Sequence, residues 1–223
     1  MARAKLLRPA EVEALFRALC VAIPHPRSDL EFANPFQLLV AVILSAQSTD
    51  KAVNQVTPRL FALAPTPQAL VDLGLEEIKT CIKTLGLYNN KAKSLVLCAQ
   101  ALLDRHQGRV PADRASLEAL AGVGVKTAGV VMNVAFGAPT LPVDTHVFRV
   151  ANRLGLVHTL KPELTEAALL KVVPAWVLPQ AHHLLILHGR YCCKARKPAC
   201  PRCPLTPWCR AYATQEGDSP NAP

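Results

Sequence analysis

The sequence predicts an all-α fold. Apolar side chains recur at three- and four-residue spacing through most of the 223-residue chain, and the strict alternation typical of strands is almost absent. Prolines, glycines and small polar residues interrupt this helical period at short intervals, so we expect about ten short helices. No repeat of fixed length runs through the series.

The first two helices have clear start signals. Behind Pro9, apolar residues fall at positions i, i+3, i+4 and i+7, and this helix ends before Pro24. Asn34 is a typical N-cap and Pro35 suits the first helical position, so a second helix should follow and end at about Ala46. Because this helix is apolar on every side, we expect it to be central and buried.

The later helices follow with capping residues at their starts and glycines at most of their ends. They are predicted from Asp50 onward, from Thr66-Pro67 to Gly74, from Leu75 to Gly86, from Asn90 to His106, and from Thr145 to Leu154. The polar tail from Thr214 to Pro223 is predicted to be disordered.

Composition and charge limit the classes of function. A chain of this length can form a stable hydrophobic core without disulfide bonds, and the content of apolar residues, 51%, argues against disorder. The longest apolar run has seven residues, far fewer than the roughly 20 that span a bilayer, and no secretory signal is visible, so we expect a cytoplasmic protein without a membrane partner. Taken alone, a net charge of +9 indicates a polyanionic partner, which can be nucleic acid or an anionic membrane surface. Six basic residues and no acidic one lie in the stretch 188–210, which is either a nucleic-acid surface or an ordinary solvated face.

Four cysteines in that basic stretch indicate a metal centre. They follow the pattern Cys193-x6-Cys200-x2-Cys203-x5-Cys209, in a proline-rich loop that has no apolar pattern to hold its shape. A metal is favoured over disulfides because nothing indicates secretion. The spacing differs from the two Cys-x-x-Cys pairs of common zinc sites and slightly favours a single [4Fe–4S] cluster, although zinc stays open. The other cysteines, Cys20, Cys81, Cys98 and Cys192, are predicted to be neutral thiols beside the core.

A second motif is a helical hairpin around Gly122-Val123-Gly124. A short helix runs into this turn and another begins at once. The turn is either a structural connection between two helices or, through the exposed N–H groups of the second helix, a phosphate site. Lys126 falls in the first turn of that helix, where the helix dipole disfavours a cation. Three interpretations stay open: a phosphate contact, an amine with a lowered pKa that acts as a nucleophile, or an ordinary exposed lysine.

An aspartate follows eighteen residues later. Asp144 can cap the helix that begins at Thr145, which is its simplest role. A cap carboxylate that faces a cleft with Lys126 opposite would instead form an amine and carboxylate pair.

These motifs together resemble the endonuclease III family of helix-hairpin-helix DNA glycosylases, without gaps from about Ala4 to Cys209. The resemblance rests on Leu44-Ser45-Ala46-Gln47, Gly86-Leu87-Tyr88-Asn89, Lys126-Thr127-Ala128, Val143-Asp144-Thr145-His146, His188-Gly189-Arg190-Tyr191 and the four clustered cysteines.

The resemblance implies a bifunctional DNA glycosylase and abasic-site lyase that excises oxidised pyrimidines from duplex DNA. We expect the protein to be a monomer. The same resemblance implies catalysis by Lys126 and Asp144 and a [4Fe–4S] cluster on Cys193, Cys200, Cys203 and Cys209. The implied DNA contacts are Gln47 and Leu87, which would wedge into the duplex, together with Gly122, Val123, Gly124, Thr127, Arg190, Lys194, Arg196 and Lys197. Asp50 and His146 would line the base pocket.

The resemblance also implies two domains. A six-helix barrel would span 27–138 and contain the hairpin at about 113–136, and residues 1–26 with 139–213 would form the cluster domain, with Lys126 and Asp144 on opposite walls of the cleft between them. The hairpin departs from the family pattern at three positions: Ala121 replaces a proline, Val125 an arginine and Gly129 an asparagine that is often present.

Two rival functions stay open. A monofunctional glycosylase of the adenine-mismatch type would use water in place of a lysine, and we expect too little chain after Cys209 for the extra domain of those enzymes. An iron–sulfur protein that binds DNA or transfers electrons would explain the cysteines and the charge but gives Lys126 and Asp144 no role.

Overall fold

A computed structural model describes residues 5–217, and within them every regular element is helical, which confirms the all-α prediction. The α-helices are α1 (Pro9–Ala22), α2 (Pro35–Ser45), α3 (Asp50–Leu63), α4 (Pro67–Ile82), α5 (Tyr88–His106), α6 (Arg114–Glu118), α7 (Val125–Phe136), α8 (Thr145–Leu154), α9 (Pro162–Val172), α10 (Leu178–Tyr191) and α11 (Arg210–Gly217). Two 3₁₀ helices, Cys200–Arg202 and Thr206–Trp208, lie between α10 and α11.

Local start signals predicted several of these helices correctly. Asn34 caps α2, since its side-chain oxygen accepts a hydrogen bond of 3.0 Å from the Gln37 N–H. Eight residues of α2, all apolar, are buried, so the prediction of a central helix is confirmed. The bounds of α8 also agree with the predicted helix from Thr145 to Leu154.

Three predictions differ from the structure. The predicted helices on either side of Gly74 form one element, α4, which is kinked because Gly74 has φ 77° inside it. The prediction that Asn90 begins the next helix is wrong, because α5 starts at Tyr88 after Leu87, whose backbone is left-handed and whose side chain caps nothing. Helix α11 extends to Gly217, into the tail predicted to be disordered, and the rest of that tail lies outside the described residues.

Contacts divide the chain into two compact units, each with its own core. The middle unit comprises Ser28–Ala138, and its core surrounds the buried helix α2. Helices α3, α5 and α7 pack against α2, while α4 packs against α3 and α5, and α6 packs against α7. This arrangement holds the loops after α2, before α5 and before α7 on one scaffold.

The terminal unit comprises Met1–Arg27 and Pro139–Pro223. Its core is built around α8 and α10, with α9 and α11 packed against α8 and α1 packed against α10. Partly buried Cys193, Cys203 and Cys209 pack against this core. Within residues 5–217, none of the helices has the length and apolarity needed to cross a membrane.

Candidate active site and metal centre

The hairpin turn between α6 and α7 requires glycine at position 122. Gly122 has φ 79°, and a Cβ atom there would lie 2.9 Å from the Cβ of Ser94 and 3.2 Å from a methyl group of Ile43. A side chain would therefore meet both unfavourable backbone geometry and neighbouring atoms of α5 and α2. Glycine lets the turn pack directly onto these two helices.

Helix α7 begins without a side-chain cap. Its N-cap is Gly124, which has an extended backbone and no side chain to accept hydrogen bonds from the first turn. The first N–H groups of a helix have no partner inside the helix, so those at the start of α7 are available for an anion. Lys126 is the second residue of α7 and is exposed, which places a flexible ammonium group beside these N–H groups.

The neighbouring hairpin residues differ in accessibility. Val125 is 57% exposed at the first position of α7, and Thr127 is half-buried. Val123 is buried in the core of the middle unit, so its side chain cannot contact DNA and only its backbone is suited to the predicted role.

Gln47 and Leu87 share an unusual backbone geometry. Gln47 has φ 54° and Leu87 has φ 58°, and these are two of the four non-glycine residues with positive φ in the described chain. Both side chains are exposed, Leu87 by 55%. A large side chain held outward at a strained backbone position is typical of a functional site.

Asp144 caps α8, as its simplest interpretation predicted, and it also binds a histidine. Its Oδ1 accepts hydrogen bonds of 2.8 Å from the N–H groups of His146 and Val147. Its Oδ2 lies 3.0 Å from Nδ1 of His146, a contact that sequence reasoning missed although the Asp-x-His spacing at a helix start could have suggested it. The Asp144 side chain is 10% exposed and that of His146 is 34% exposed. Asp50, the other predicted base-pocket residue, is the half-buried first residue of α3.

The cysteine loop is held by two arginines of α8. Arg149 donates to the carbonyl oxygens of Gly189 and Cys193, at 2.8 and 3.1 Å. Arg153 donates to those of Lys194 and Ala195, at 2.7 and 3.0 Å, and its guanidinium lies 3.6 Å from the Cys193 sulfur. Sequence reasoning missed both arginines because they lie about 40 residues from the loop they support.

The four predicted ligand cysteines are half-buried, and the thiols of Cys193, Cys203 and Cys209 interact electrostatically. Burial raises the pKa of the Cys203 thiol to about 12. Burial also raises the pKa of Cys209, and the nearby Cys193 and Cys203 thiols raise it further. A metal that binds here would displace these protons and bind thiolates. Several sulfurs in one loop, close enough to affect one another and beside two guanidinium groups, fit a thiolate-bound metal centre.

A second set of donors in the same region includes two residues that were not predicted as ligands. Among the described residues, ligand atoms of His188, Cys192 and Cys203 lie within 4.8 Å of one another. The ligand sulfurs of a cluster bind different iron atoms and therefore lie further apart than the ligands of one ion, so this spacing suits a single ion. Burial lowers the pKa of His188 to about 4, which leaves the ring neutral, 3.7 Å from the Cys203 sulfur. Cys192, predicted as a neutral thiol beside the core, thus lies next to a predicted ligand.

The basic residues predicted to contact DNA lie within the cysteine loop or next to it. Lys194, Arg196 and Lys197 are exposed between the first two predicted ligands, and Arg190 is half-buried near the end of α10. The loop therefore presents positive charge to solvent, as binding to a polyanion requires.

Comparisons with known proteins agree with these features. Residues 40–175 match the sequence profile of the HhH-GPD superfamily of base excision DNA repair proteins. The chain is 54% identical to endonuclease III of Escherichia coli K12 over 186 residues, which cover 83% of this chain and 88% of that protein. It is 49% identical to endonuclease III of Rickettsia conorii over 201 residues, covering 90% and 96%. The solved structure of a trapped endonuclease III–DNA covalent intermediate, an estranged-adenine complex, superimposes with a TM-score of 0.88 at 42% identity, covering 95% of this chain and all of that one.

Proposed function

The chain belongs to the endonuclease III family of the HhH-GPD superfamily, and from that premise we propose that it is a bifunctional DNA glycosylase and abasic-site lyase of base excision repair. Its proposed substrates are oxidised pyrimidines and abasic sites in duplex DNA. The observation that carries the proposal is the exposed Lys126 in the uncapped first turn of α7, directly after the glycine turn of the hairpin.

Lys126 acts as the nucleophile in this proposal. The neutral amine attacks C1′ of the damaged nucleotide, the glycosidic bond breaks, and the base leaves with the bonding electron pair and takes up a proton. Opening of the sugar gives a Schiff base between C1′ and the Lys126 nitrogen. Loss of the C2′ proton then expels the 3′ phosphate, which breaks the strand, and water releases the lysine.

Asp144 stabilises the positive charge that develops on the sugar as the base departs. Its carboxylate is suited to this role because it is held rigidly: Oδ1 binds two N–H groups of α8 and Oδ2 contacts the His146 ring. We further propose that His146 and Asp50 contribute to recognition of the extruded base.

The other proposed contacts open and hold the duplex. A stacked base cannot reach the amine, so the nucleotide leaves the helix, and Gln47 and Leu87 fill the space. The backbone N–H groups after Gly122 bind a phosphate, together with Thr127. The basic residues of the cysteine loop bind the backbone further along: Arg190, Lys194, Arg196 and Lys197.

We propose a [4Fe–4S] cluster bound by Cys193, Cys200, Cys203 and Cys209. The support is the resemblance of their spacing to the family pattern, together with the half-burial of all four thiols and the interactions among Cys193, Cys203 and Cys209. The four cysteines lie in a loop that has two 3₁₀ turns but little other regular structure, and binding a common cluster would cross-link this loop and hold its basic residues in place. We assign 28–138 as the barrel domain and the terminal unit as the cluster domain of a monomer that acts on DNA in the cytoplasm.

Borohydride trapping on a duplex with one abasic site tests the proposal. Reduction of the Schiff base should leave a stable covalent adduct with the wild-type chain and none with Lys126→Ala, whose DNA affinity should change less than about tenfold because one phosphate contact at most is lost. Lys51→Ala is a matched control, since Lys51 is also an exposed lysine at the second position of a helix in the same unit. An undiminished adduct with Lys126→Ala would refute the assignment.

The same assay separates the two rival functions. A monofunctional glycosylase would release the base without any adduct, and an iron–sulfur DNA-binding protein would bind the duplex without adduct or base release. The lysine in the hairpin favours the bifunctional enzyme over both.

A further inference from the structure

One buried lysine, Lys91, connects the turn that carries Gln47 with the turn that carries Leu87. Lys91 is 6% exposed and is the single lysine, arginine, aspartate or glutamate among the described residues that is buried. It lies in the first turn of α5, where helix N–H groups disfavour a cation. Burial also lowers its pKa. The helix start and the burial therefore both disfavour the charged form of Lys91. A buried ammonium in such a position is weak evidence of a stabilising role and calls for another explanation.

The hydrogen bonds of Lys91 reach both turns. Its ammonium donates to the Ser48 hydroxyl at 2.7 Å, and its backbone N–H donates to the Leu87 carbonyl oxygen at 3.0 Å. Ser48 directly follows Gln47, and its own N–H donates to the Ser45 carbonyl at the end of α2. The residue therefore links the turn that carries Gln47 to the turn that carries Leu87, across 43 positions of sequence.

The hydrogen bond between Lys91 and Ser48 lies beside two backbone positions of unfavourable geometry. Left-handed conformations of non-glycine residues persist only where the surrounding structure holds them. Gln47 and Leu87 both have this conformation and both project exposed side chains. A hydrogen bond between the two turns restricts the motion of one relative to the other.

We propose that Lys91 is a positioning residue for the opening of the duplex: through Ser48 it holds the turns of Gln47 and Leu87 so that both side chains enter the DNA together. The inference rests on the proposed function, because it assumes that these side chains fill the space of an extruded nucleotide. Lys91 itself touches neither the sugar nor the base.

The test uses a duplex with 2-aminopurine opposite a stable abasic analogue, whose emission rises when the purine is unstacked. The wild-type chain should raise this emission on binding. Lys91→Met and Ser48→Ala should each lose most of the rise and slow single-turnover base excision roughly tenfold, the size expected for loss of one hydrogen bond from a charged donor. Lys93→Met, at an exposed lysine of the same helix, controls for the loss of one positive charge.

The double variant gives the decisive comparison. If both side chains act through one hydrogen bond, Lys91→Met with Ser48→Ala should be no worse than either single variant, and Ser48→Thr, which keeps a hydroxyl, should restore the signal. Additive losses, or wild-type emission and excision in the single variants, would overturn the inference. If Lys91→Met does not fold, Ser48→Ala decides the question alone. It breaks the same hydrogen bond and removes only one half-buried oxygen atom.

The proposed function is read separately on the same protein. Borohydride trapping of the wild-type chain depends on Lys126 and not on the emission signal. Normal trapping with wild-type emission in Ser48→Ala would overturn the role of Lys91 alone, whereas absence of trapping in the wild-type chain would refute the lyase.

Discussion

Gly122→Ala should destabilise the middle unit by several kcal/mol. Alanine at φ 79° costs about 1–2 kcal/mol in backbone energy. The new Cβ would also lie 2.9 Å from the Cβ of Ser94, a distance that requires a shift of α5 or of the turn, and overpacking of this kind typically costs about 1–3 kcal/mol. The sum is about 2–5 kcal/mol, a large fraction of the ordinary stability of a domain.

Thermal unfolding followed by circular dichroism measures this change. For a chain of this size each kcal/mol lowers Tm by about 2–4 °C, so we expect a loss of roughly 4–20 °C. Gly124→Ala is the matched control two residues away: its φ is −100° and no neighbouring atom lies within 4 Å of a Cβ there, so it should cost about 1 kcal/mol or less.

A second variant separates the two causes of the destabilisation. Ser94→Gly removes two of the three atoms nearest to the new methyl group, so Gly122→Ala should cost less in that background, with the backbone component and the contact to the Ile43 methyl group left. Equal effects of Gly122→Ala and Gly124→Ala, or the same cost in both backgrounds, would refute the argument that the turn packs too closely for a side chain.

Three further predictions concern the site. Asp144→Asn should slow base excision about 100-fold while α8 keeps its cap, because the amide oxygen still accepts from the backbone and only the charge is lost; unchanged excision at unchanged Tm would leave Asp144 as a helix cap alone. Chemical analysis should find about four iron and four sulfide per chain, reduced in Cys193→Ser and retained in Cys192→Ser; the reverse would make Cys192 the ligand, and one zinc without sulfide would exclude the cluster. Val125→Arg should steepen the dependence of log Kd on log salt by about 0.9 per added phosphate contact, and an unaltered slope would mean that this exposed position faces away from DNA.

The sequence predicted those parts of the fold and site that depend on near neighbours. The cap of α2 at Asn34 and that of α8 at Asp144 are decided within four residues, and both are present. The hairpin was predicted because glycines and a helix start lie in one short segment. The start of α5 was misplaced because Leu87 adopts a left-handed backbone that its residue type does not indicate.

Contacts between distant residues could not be predicted in this way. The bond from Lys91 to Ser48 and those from Arg153 to the cysteine loop join residues about 40 positions apart. Periodicity indicates which face of a helix is apolar, but it carries no information about which polar side chain meets another across the packed unit. For the same reason the approach of Cys192 to Cys203 was missed.

Helix capping in the middle unit supports the same assignment of its DNA-binding surface. Four of its six helices, α2, α3, α4 and α6, have a side chain that caps the first turn. The two without such a cap are α5, which begins after Leu87, and α7, which begins after Gly124. A residue that cannot cap, such as leucine, costs about 0.5–2 kcal/mol at this position, and glycine costs a few tenths of a kcal/mol, unless another group satisfies the free N–H groups. Both uncapped ends lie where the proposed function requires contact with DNA, so the chain accepts this cost at the positions where a phosphate or an opened base pair can supply the missing partner.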